Sequence, residues 1–376
     1  MARPQLRPGL RRLWRDSSTL QLGVSPAHGA VLTGLRAGDD VVLAALDGRH
    51  DLRQLQALAR ASSVPASRVE ELVQLLGRAG VLVRARSDRA FLARVGAGAR
   101  RRLAPDAVGW ALVYDGAAHP DAILARRATS RVQVEGLGRL GAAVATTLAT
   151  AGIGRVDGED ADPVRPDDVL AAGHGSDDVG RPRAASLARA VERVLGRSTE
   201  RAAGRRASPA RPPDLVVVVR DDVVELSLAD DLVRRGVAHL AVVAGADRVV
   251  VGPLVLPGRG PCLRCVHLHR CDRDPAWPQL VAQLTAAAAA PDACPRAEVA
   301  SATAAAGLVA LQVLTYLDGL RLPATLGRTL DLVLPDGLVE RRRWAPHPSC
   351  GCTRLPGVPD GGREASTASS ARDGIA

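Results

Sequence analysis

The sequence predicts an α/β protein built on a mainly parallel sheet and preceded by a small unit of mixed helices and strands. Three observations carry this expectation. Arg131 to Asp162 reads as strand, glycine-rich turn, helix and second strand, the order of a βαβ unit. Asp214–Val219, DLVVVV, is a continuous apolar run, the mark of a parallel strand covered on both faces. Residues 1–95 combine short apolar runs, three amphipathic helical stretches and a closing strand.

The βαβ stretch is the most specific of the three. Arg131–Glu135 alternates and contributes two valines to a short strand. Gly136, Gly138 and Gly141 then form G-x-G-x-x-G, opening a helix that runs to about Ala151, with Gly152 as its stop. A weaker strand lies at Arg155–Glu159, and Asp160 stands 24 residues beyond Gly136. Glycines let the backbone approach a phosphate, the helix N-terminus offers free N–H groups and partial positive charge, and the acid can bind a ribose. A tight strand–helix turn without a ligand uses the same spacing, so the motif speaks for fold before occupancy. Asp221 and Asp222 stand beyond the end of the DLVVVV strand. Ligands of open parallel sheets bind outside the carboxyl ends of strands, which places this pair in the crevice of the glycine loop; a solvated turn is the alternative.

At 376 residues the chain is long enough for two domains with their own cores. With 47% hydrophobic but only 2% aromatic residues, those cores must be built from Ala, Val and Leu. A net charge of +10 would ordinarily suggest an anionic partner. Yet the chain has no lysine, and with its abundant Ala, Gly and Pro this reads as a chain-wide compositional bias rather than a binding patch. The N-terminal MARPQLRPGLRRLWRD has an Arg pair but no apolar stretch after it, so no secretory signal and a cytoplasmic location are expected. Between Glu298 and Asp318 there is no charge, but the segment is Ala-, Ser- and Thr-rich and holds Gln312. It is expected to be a buried helix, not a membrane span.

In residues 1–95, Leu20–Val24 and Val31–Leu35 fit a hairpin, and Asp40–Leu46 a short helix stopped by Asp47-Gly48. Leu52–Ala61 has one apolar helical face. Ser67-Arg-Val-Glu70 has the spacing of a capping box before Val69, Leu72, Val73, Leu75 and Leu76. Gly80 ends that helix and Val81–Val83 starts a strand, completing a winged-helix outline. DNA binding is the common use of that outline, but the third helix offers only Arg68 and Arg78 to phosphate and no base reader. Nucleic acid is therefore not the expected partner. Arg84–Asp106 reads as a connector and Ala107–Tyr114 as the possible opening of the second domain. Asp177–Arg211 reads as part helix (Ala184–Leu195) and part loop. A helix at Leu226–Arg235 and strands at Leu240–Val243 and Arg248–Val251 continue the sheet. The expected domains are 1–95, a connector 96–122, the α/β domain 123–352 and a disordered tail 353–376.

Cys262-Leu-Arg-Cys265 and Cys350-Gly-Cys352 are two close pairs far apart in sequence. Each can present two sulfurs to one tetrahedral zinc, and with all four positions filled by sulfur the metal would be structural. The knot would tie a tail strand near Leu330–Leu334 to the chain around Pro261, with His347 an outside candidate ligand. Disulfides are not expected without a secretory signal. Cys271 and Cys294 are left over and read as plain thiols rather than nucleophiles.

Taken together, the glycine loop, the acids after two strands, C-x-x-C and the late cysteine pair resemble the ThiF/MoeB/HesA family of E1-like adenylyltransferases. G-L-G-R-L-G, A-G-I-G-R-V and G-P-C-L-R-C are the most specific pieces, and the match spans roughly Ile123 to Cys352. The resemblance implies a Rossmann-like fold. Residues 1–95 resemble the PqqD-like leader-recognition domain through L-D-G-R-H-D-L and G-R-A-G-V-L; in that family a leader peptide adds as a strand to a sheet edge. With the runs CVHLHRCDRDPAWP and HPSCGC, the whole is similar to the cyclodehydratase-associated E1-like proteins of thiazole/oxazole-modified peptide biosynthesis.

The family activates a C-terminal carboxylate with ATP and Mg²⁺. Carried over by position, Gly136, Gly138 and Gly141 would cradle phosphate, Asp160 would bind ribose and Asp221 would hold Mg²⁺. The resemblance also implies a homodimer. After its second acid, here Asp162, the family has an S-N-L-x-R-Q run that grips the phosphates. This chain has Pro166-Asp167-Asp168-Val169-Leu170-Ala171-Ala172, with Ala171 and Ala172 at the Arg and Gln positions and Asp168 in place of a neutral donor. The Lys of the family's G-K-P-K falls on Arg183, a planar fork rather than a point charge. The expected role is thus a partner that binds a precursor peptide and presents it to a modifying enzyme such as a cyclodehydratase, with weak or absent ATP turnover. The rivals are a working adenylyltransferase on the C-terminus of a sulfur-carrier protein or peptide, and a DNA-binding regulator.

Overall fold

The computed structural model describes residues 3–84, 97–114, 120–195, 211–288, 290, 294 and 296–353. The expected tail beyond Thr353 and the loop expected over 196–210 lie outside these residues.

The N-terminal unit contains β1 (Pro4–Leu6), β2 (Arg12–Trp14), β3 (Leu20–Leu22), β4 (Ala30–Leu32), α1 (Asp39–Ala45), α2 (Leu52–Ala61), α3 (Ala66–Arg78) and β5 (Leu82–Arg84). The expected hairpin is present as β3–β4, joined on its other side by β2. The closing strand β5 pairs with β1 rather than with the hairpin. This departs from the expected outline because Leu6 and Leu82, on the paired strands, both pack on the Leu20, Leu43, Leu55 and Leu72 core.

The capping box expected at Ser67 does not form. Pro65, with φ fixed at −62°, is the N-cap of α3, so Ser67 already lies inside the helix. A capping box does form on α2, where the Gln54 N–H donates to Asp51 Oδ1 and the Asp51 N–H to Gln54 Oε1. Arg68, one of two candidate phosphate contacts, is instead buried, its Nη2 2.7 Å from Asp39 Oδ2. That side chain is structural and leaves the DNA-binding reading weaker still.

The expected connector is partly helical, with helices Ala97–Arg102 and Ala104–Val113. Gly98, Pro105 and Gly109 interrupt the good helix formers Ala and Arg and hid these helices; Tyr114, at the end of the second, is tied to Asp318 of the larger domain.

The main sheet has seven strands: β6 (Arg131–Glu135), β7 (Arg155–Glu159), β8 (Leu215–Asp221), β9 (His239–Ala244), β10 (Arg248–Val255), β11 (Arg328–Val333) and β12 (Leu338–Arg343). Their spatial order is β12-β11-β10-β9-β8-β6-β7. β7, β6, β8 and β9 are mutually parallel, and β10 to β12 are antiparallel. The chain leaves β6 for β7 on one side and returns to β8 on the other, so a topological switch point opens beyond the carboxyl ends of β6 and β8.

Asp157-Gly158-Glu159, poor residues for a central strand, are tolerated because β7 is an edge. Gly158 must be small there, since a Cβ would lie 2.6 Å from Leu137 and 2.7 Å from Leu187. At the opposite edge all six residues of β12 are exposed, although its partner β11 is mostly buried.

Helix Val299–Asp318 is long and apolar enough to cross a membrane, but half of it is buried inside the domain. Ala302, Ala305, Val309 and Val313 face the sheet and the glycine-loop helix Arg139–Thr150. Its end is locked by a buried ion pair: Arg127 Nε and Nη2 donate to the Asp318 carboxylate at 2.8 and 2.6 Å, and the Tyr114 hydroxyl donates to Asp318 Oδ2 at 2.9 Å. Trp110 stacks on the Arg127 guanidinium at 4.1 Å. Burial first, and then the Asp318 charge, push the Tyr114 phenol up to about 12 from 10.0.

A phenol whose folded pKa is raised contributes stability that is complete below its unfolded pKa and lost as pH rises through the folded one. The stability advantage of the wild type over Tyr114→Phe should therefore shrink between pH 10.0 and about 12. Urea unfolding across that range checks this, and a constant gap would contradict it.

Candidate functional site

The site is built by the turn that follows β6. Gly136 has φ +86°, and a Cβ there would lie 2.3 Å from the Val219 carbonyl oxygen of β8. A Cβ on Gly141 would lie 1.8 Å from the Gly136 carbonyl oxygen. Both glycines are thus required for the helix to sit this close to the strands. Gly138 is the N-cap of that helix, with no side-chain cap, so its first N–H groups face the crevice.

The crevice encloses about 370 Å³, inside the range of about 300–1,000 Å³ typical of ligand pockets. Gly136, Gly138, Gly141, Asp160, Asp162, Arg183 and Asp221, all singled out in the sequence, line it together. Sequence reading did not find Arg139, Arg165 and Arg220, which also line it, nor Thr285 and Ala288 from helix Trp277–Ala288. Arg139 sits inside the glycine motif and was legible as a cation at a helix start; the others come from loops and strand ends whose approach no spacing reveals.

The crevice neutralises its own charges. Asp160 Oδ2 accepts the Leu137 N–H of the glycine loop at 2.7 Å and also takes Arg183 Nη1 at 3.1 Å. Asp168, fully buried, takes Arg183 through Nε and Nη2 at 2.9 and 2.8 Å and accepts the Arg165 N–H at 2.9 Å. Asp162 completes the ring at 3.4 Å from Nη1. Burial works against the Arg183 charge, but Asp168 and Asp160 more than offset it and hold the guanidinium above its ordinary pKa.

The second Asp168 oxygen, Oδ1, is buried without a hydrogen-bond partner, 3.4 Å from where a Gly138 Cβ would stand. Ala171 and Ala172 offer no donor, and Ala172 packs on the core instead. Arg220 is tied to Glu225 at 2.9 Å. Arg139 donates to the Ala297 carbonyl at 3.2 Å and pairs with no carboxylate among the described residues.

Beyond β8, Asp221 Oδ1 accepts the Arg296 N–H at 3.2 Å, and Asp222 pairs with the Arg296 side chain at 2.8 Å. Burial raises the Asp221 carboxyl above its ordinary pKa; the Arg296 amide opposes this and the Asp222 charge adds to it. Burial likewise raises Glu135, opposed by Arg220 and assisted by Glu159. His174, also missed in the sequence, is fully buried under the loop, with Nε2 2.7 Å from the Leu137 carbonyl and Nδ1 2.6 Å from Ser186 Oγ.

Away from the crevice, Cys262, Cys265, Cys350 and Cys352 come together, all buried, their sulfurs within 4.8 Å of one another. Neighbouring separations are 3.8, 3.6 and 3.5 Å. Four sulfurs about 2.3 Å from a tetrahedral centre would stand about 3.8 Å apart, so the set can hold one metal ion. His347, the outside candidate should one thiol not be a ligand, lies apart from the four sulfurs, grouped with His269 and Asp272. The Ser349 N–H donates to its Nδ1 at 3.1 Å, so Nε2 carries the ring proton and meets Asp272 Oδ2 at 2.9 Å. Cys271 lies 3.4 Å from His267 Nε2, and Cys294 is exposed.

The sequence model of the ThiF family matches residues 117–353. No curated protein matches the chain in sequence. Among solved structures, E. coli MccB with succinimide is 15% identical, with a TM-score of 0.65, covering 93% of this chain and 99% of MccB. E. coli MccB with ATP is 16% identical, with a TM-score of 0.63 over the same shares of both chains. PaaA is 17% identical, with a TM-score of 0.61, covering 89% of this chain and 98% of PaaA. These likenesses are of fold.

Gly141→Ala is expected to destabilise the protein by about 1–3 kcal/mol or more through overpacking at the turn. Gly307→Ala, where a Cβ meets open space, should be neutral or stabilising by up to about 1 kcal/mol. Paired denaturation curves decide; equal effects would remove the close approach as the reason for Gly141.

Proposed function

From the premise that this chain belongs to the ThiF family, we propose that it binds a precursor peptide and presents it to a modifying enzyme, with little or no adenylation of its own. One observation carries the reading: Arg183 and one glycine-loop amide, two of the groups that would grip phosphate, are engaged by the protein's own carboxylates. Asp160 holds a glycine-loop amide, and Asp160, Asp162 and Asp168 together hold Arg183. A triphosphate entering here would have to displace these anions while facing the unpaired Asp168 oxygen. Losing a single contact of this kind costs about 10²–10³ in rate.

The peptide partner is supported by the similar structures of MccB, described as a microcin C7 biosynthetic enzyme in complex with N-formylated MccA. The leader would add as a strand to an edge of the β2-β3-β4 sheet, where Trp14 and Val31 are about half exposed. Residues 1–95 act as the recognition domain and 123–352 as the E1-like domain, bracketed by the connector and tail. The four cysteines hold a structural zinc that ties the start of helix Leu263–Arg273 to the Cys350–Cys352 segment. The rival reading, a working ATP–Mg²⁺-dependent adenylyltransferase, is favoured by Arg139, a crevice cation without a carboxylate partner among the described residues.

ATP–pyrophosphate exchange by the purified full-length chain is expected at background. Magnesium-dependent exchange that disappears in Asp221→Ala would overturn the partner reading. Metal analysis should find one zinc per chain, lost in Cys262→Ser together with thermal stability but not restoring exchange; a metal-free wild type of unchanged stability would rule zinc out.

A further inference from the structure

The guanidinium groups of the crevice are largely paired, which draws attention to a place where they are not. Arg270 and Arg273 on helix Leu263–Arg273 and Arg342 on β12 converge on two tryptophans. The Arg270 guanidinium lies 4.8 Å from the Trp277 ring centre, and those of Arg273 and Arg342 lie 5.6 and 6.0 Å from that of Trp344. None of the three makes an ion pair or hydrogen bond with a described residue.

The face has carboxylates of its own, but they do not neutralise it. Asp331, on β11, is buried and forms no ion pair or hydrogen bond with Arg270. Glu340 is opposite Asp331 in the ladder and exposed. Burial holds Arg270 below its ordinary pKa, Arg342 adds to this, Asp331 opposes it and Arg273 adds again. Three cations are thus crowded together with their polar N–H edges unanswered.

The same surface continues along β12. This strand is the free edge of the seven-stranded sheet, is exposed at every position, and reads Leu-Val-Glu-Arg-Arg-Arg. Arginine on an open edge repels a second copy of itself, because pairing two such edges would bring six guanidinium groups within one strand length. It does not repel an acidic chain. The aromatic faces are already covered by guanidinium groups, so a base has no ring on which to stack, whereas the free N–H edges suit carboxylates.

We propose that this face, formed by helix Leu263–Arg273 and β12, is a docking site for an acidic segment of a protein or peptide partner, gripped by Arg270, Arg273 and Arg342. It rests on the reading that the chain works with a polypeptide partner, but not on the state of the nucleotide crevice.

The test uses the full-length chain and a fluorescein-labelled ten-residue peptide of alternating Glu and Ser, with the Gln/Ser peptide and a ten-residue oligothymidylate alongside. Fluorescence anisotropy should show binding of the Glu/Ser peptide alone, weakening with salt. The double variant Arg273→Glu/Arg342→Glu, both exposed positions, should weaken it about tenfold or more. The control Arg53→Glu/Arg78→Glu, equal in net charge and on the N-terminal unit, should leave it unchanged. Equal loss in both variants, no loss in the first, no binding by the wild type, or tighter binding of the oligonucleotide would each overturn the proposal. ATP–pyrophosphate exchange bears on the crevice alone, so the two readings fail separately.

Discussion

Everything in the larger domain is positioned by the contact of two backbones at the glycine turn. Gly141 rests on the carbonyl of Gly136, and Gly136 on that of Val219, with no room for a side chain at either. This seats helix Arg139–Thr150 on β6 and β8 and fixes its N-terminus over the switch point of the sheet. Helix Val299–Asp318 packs against it through alanines and valines, and the Asp318–Arg127 pair anchors the far end. With 2% aromatic residues, such close small-residue packing is the available route to a dense core.

A helix N-terminus so placed attracts anions, and the protein answers that field from within. Asp160 and Asp168 stand where negative charge is favoured, and Arg183 sits between them as counter-ion. Removing Arg183 would leave buried carboxylates without their counter-ion, which is the costly change in such a setting. The pairing leaves a crevice of about 370 Å³ in which Arg183 is held by carboxylates of the same chain. Arg273 and Arg342, on the outer face at β12, pair with no carboxylate among the described residues and lie instead over Trp344.

The sequence made the βαβ unit, the DLVVVV strand and the four cysteines legible because each has a short-range signature: glycine spacing, continuous apolarity, paired sulfurs. It also showed Asp168, Ala171 and Ala172 directly, the residue types on which the expectation of weak ATP turnover rests. It missed the capping box at Asp51, the helices of the connector and the strand LVERRR. The Asp51–Gln54 spacing was legible and was passed over, the connector's helix formers are broken by Gly98, Pro105 and Gly109, and only the pairing with β11 marks LVERRR as a strand.

By itself, then, the sequence determined the family, the glycine turn and the two cysteine pairs that can hold a metal, because these depend on which residue types stand at fixed offsets. Only the tertiary structure decided what Arg183 does, that β5 pairs with β1, and that Arg270, Arg273 and Arg342 share one face. Those facts depend on which side chains from distant segments meet, and a carboxylate 15 residues away neutralises a guanidinium only when the fold brings it within about 3 Å.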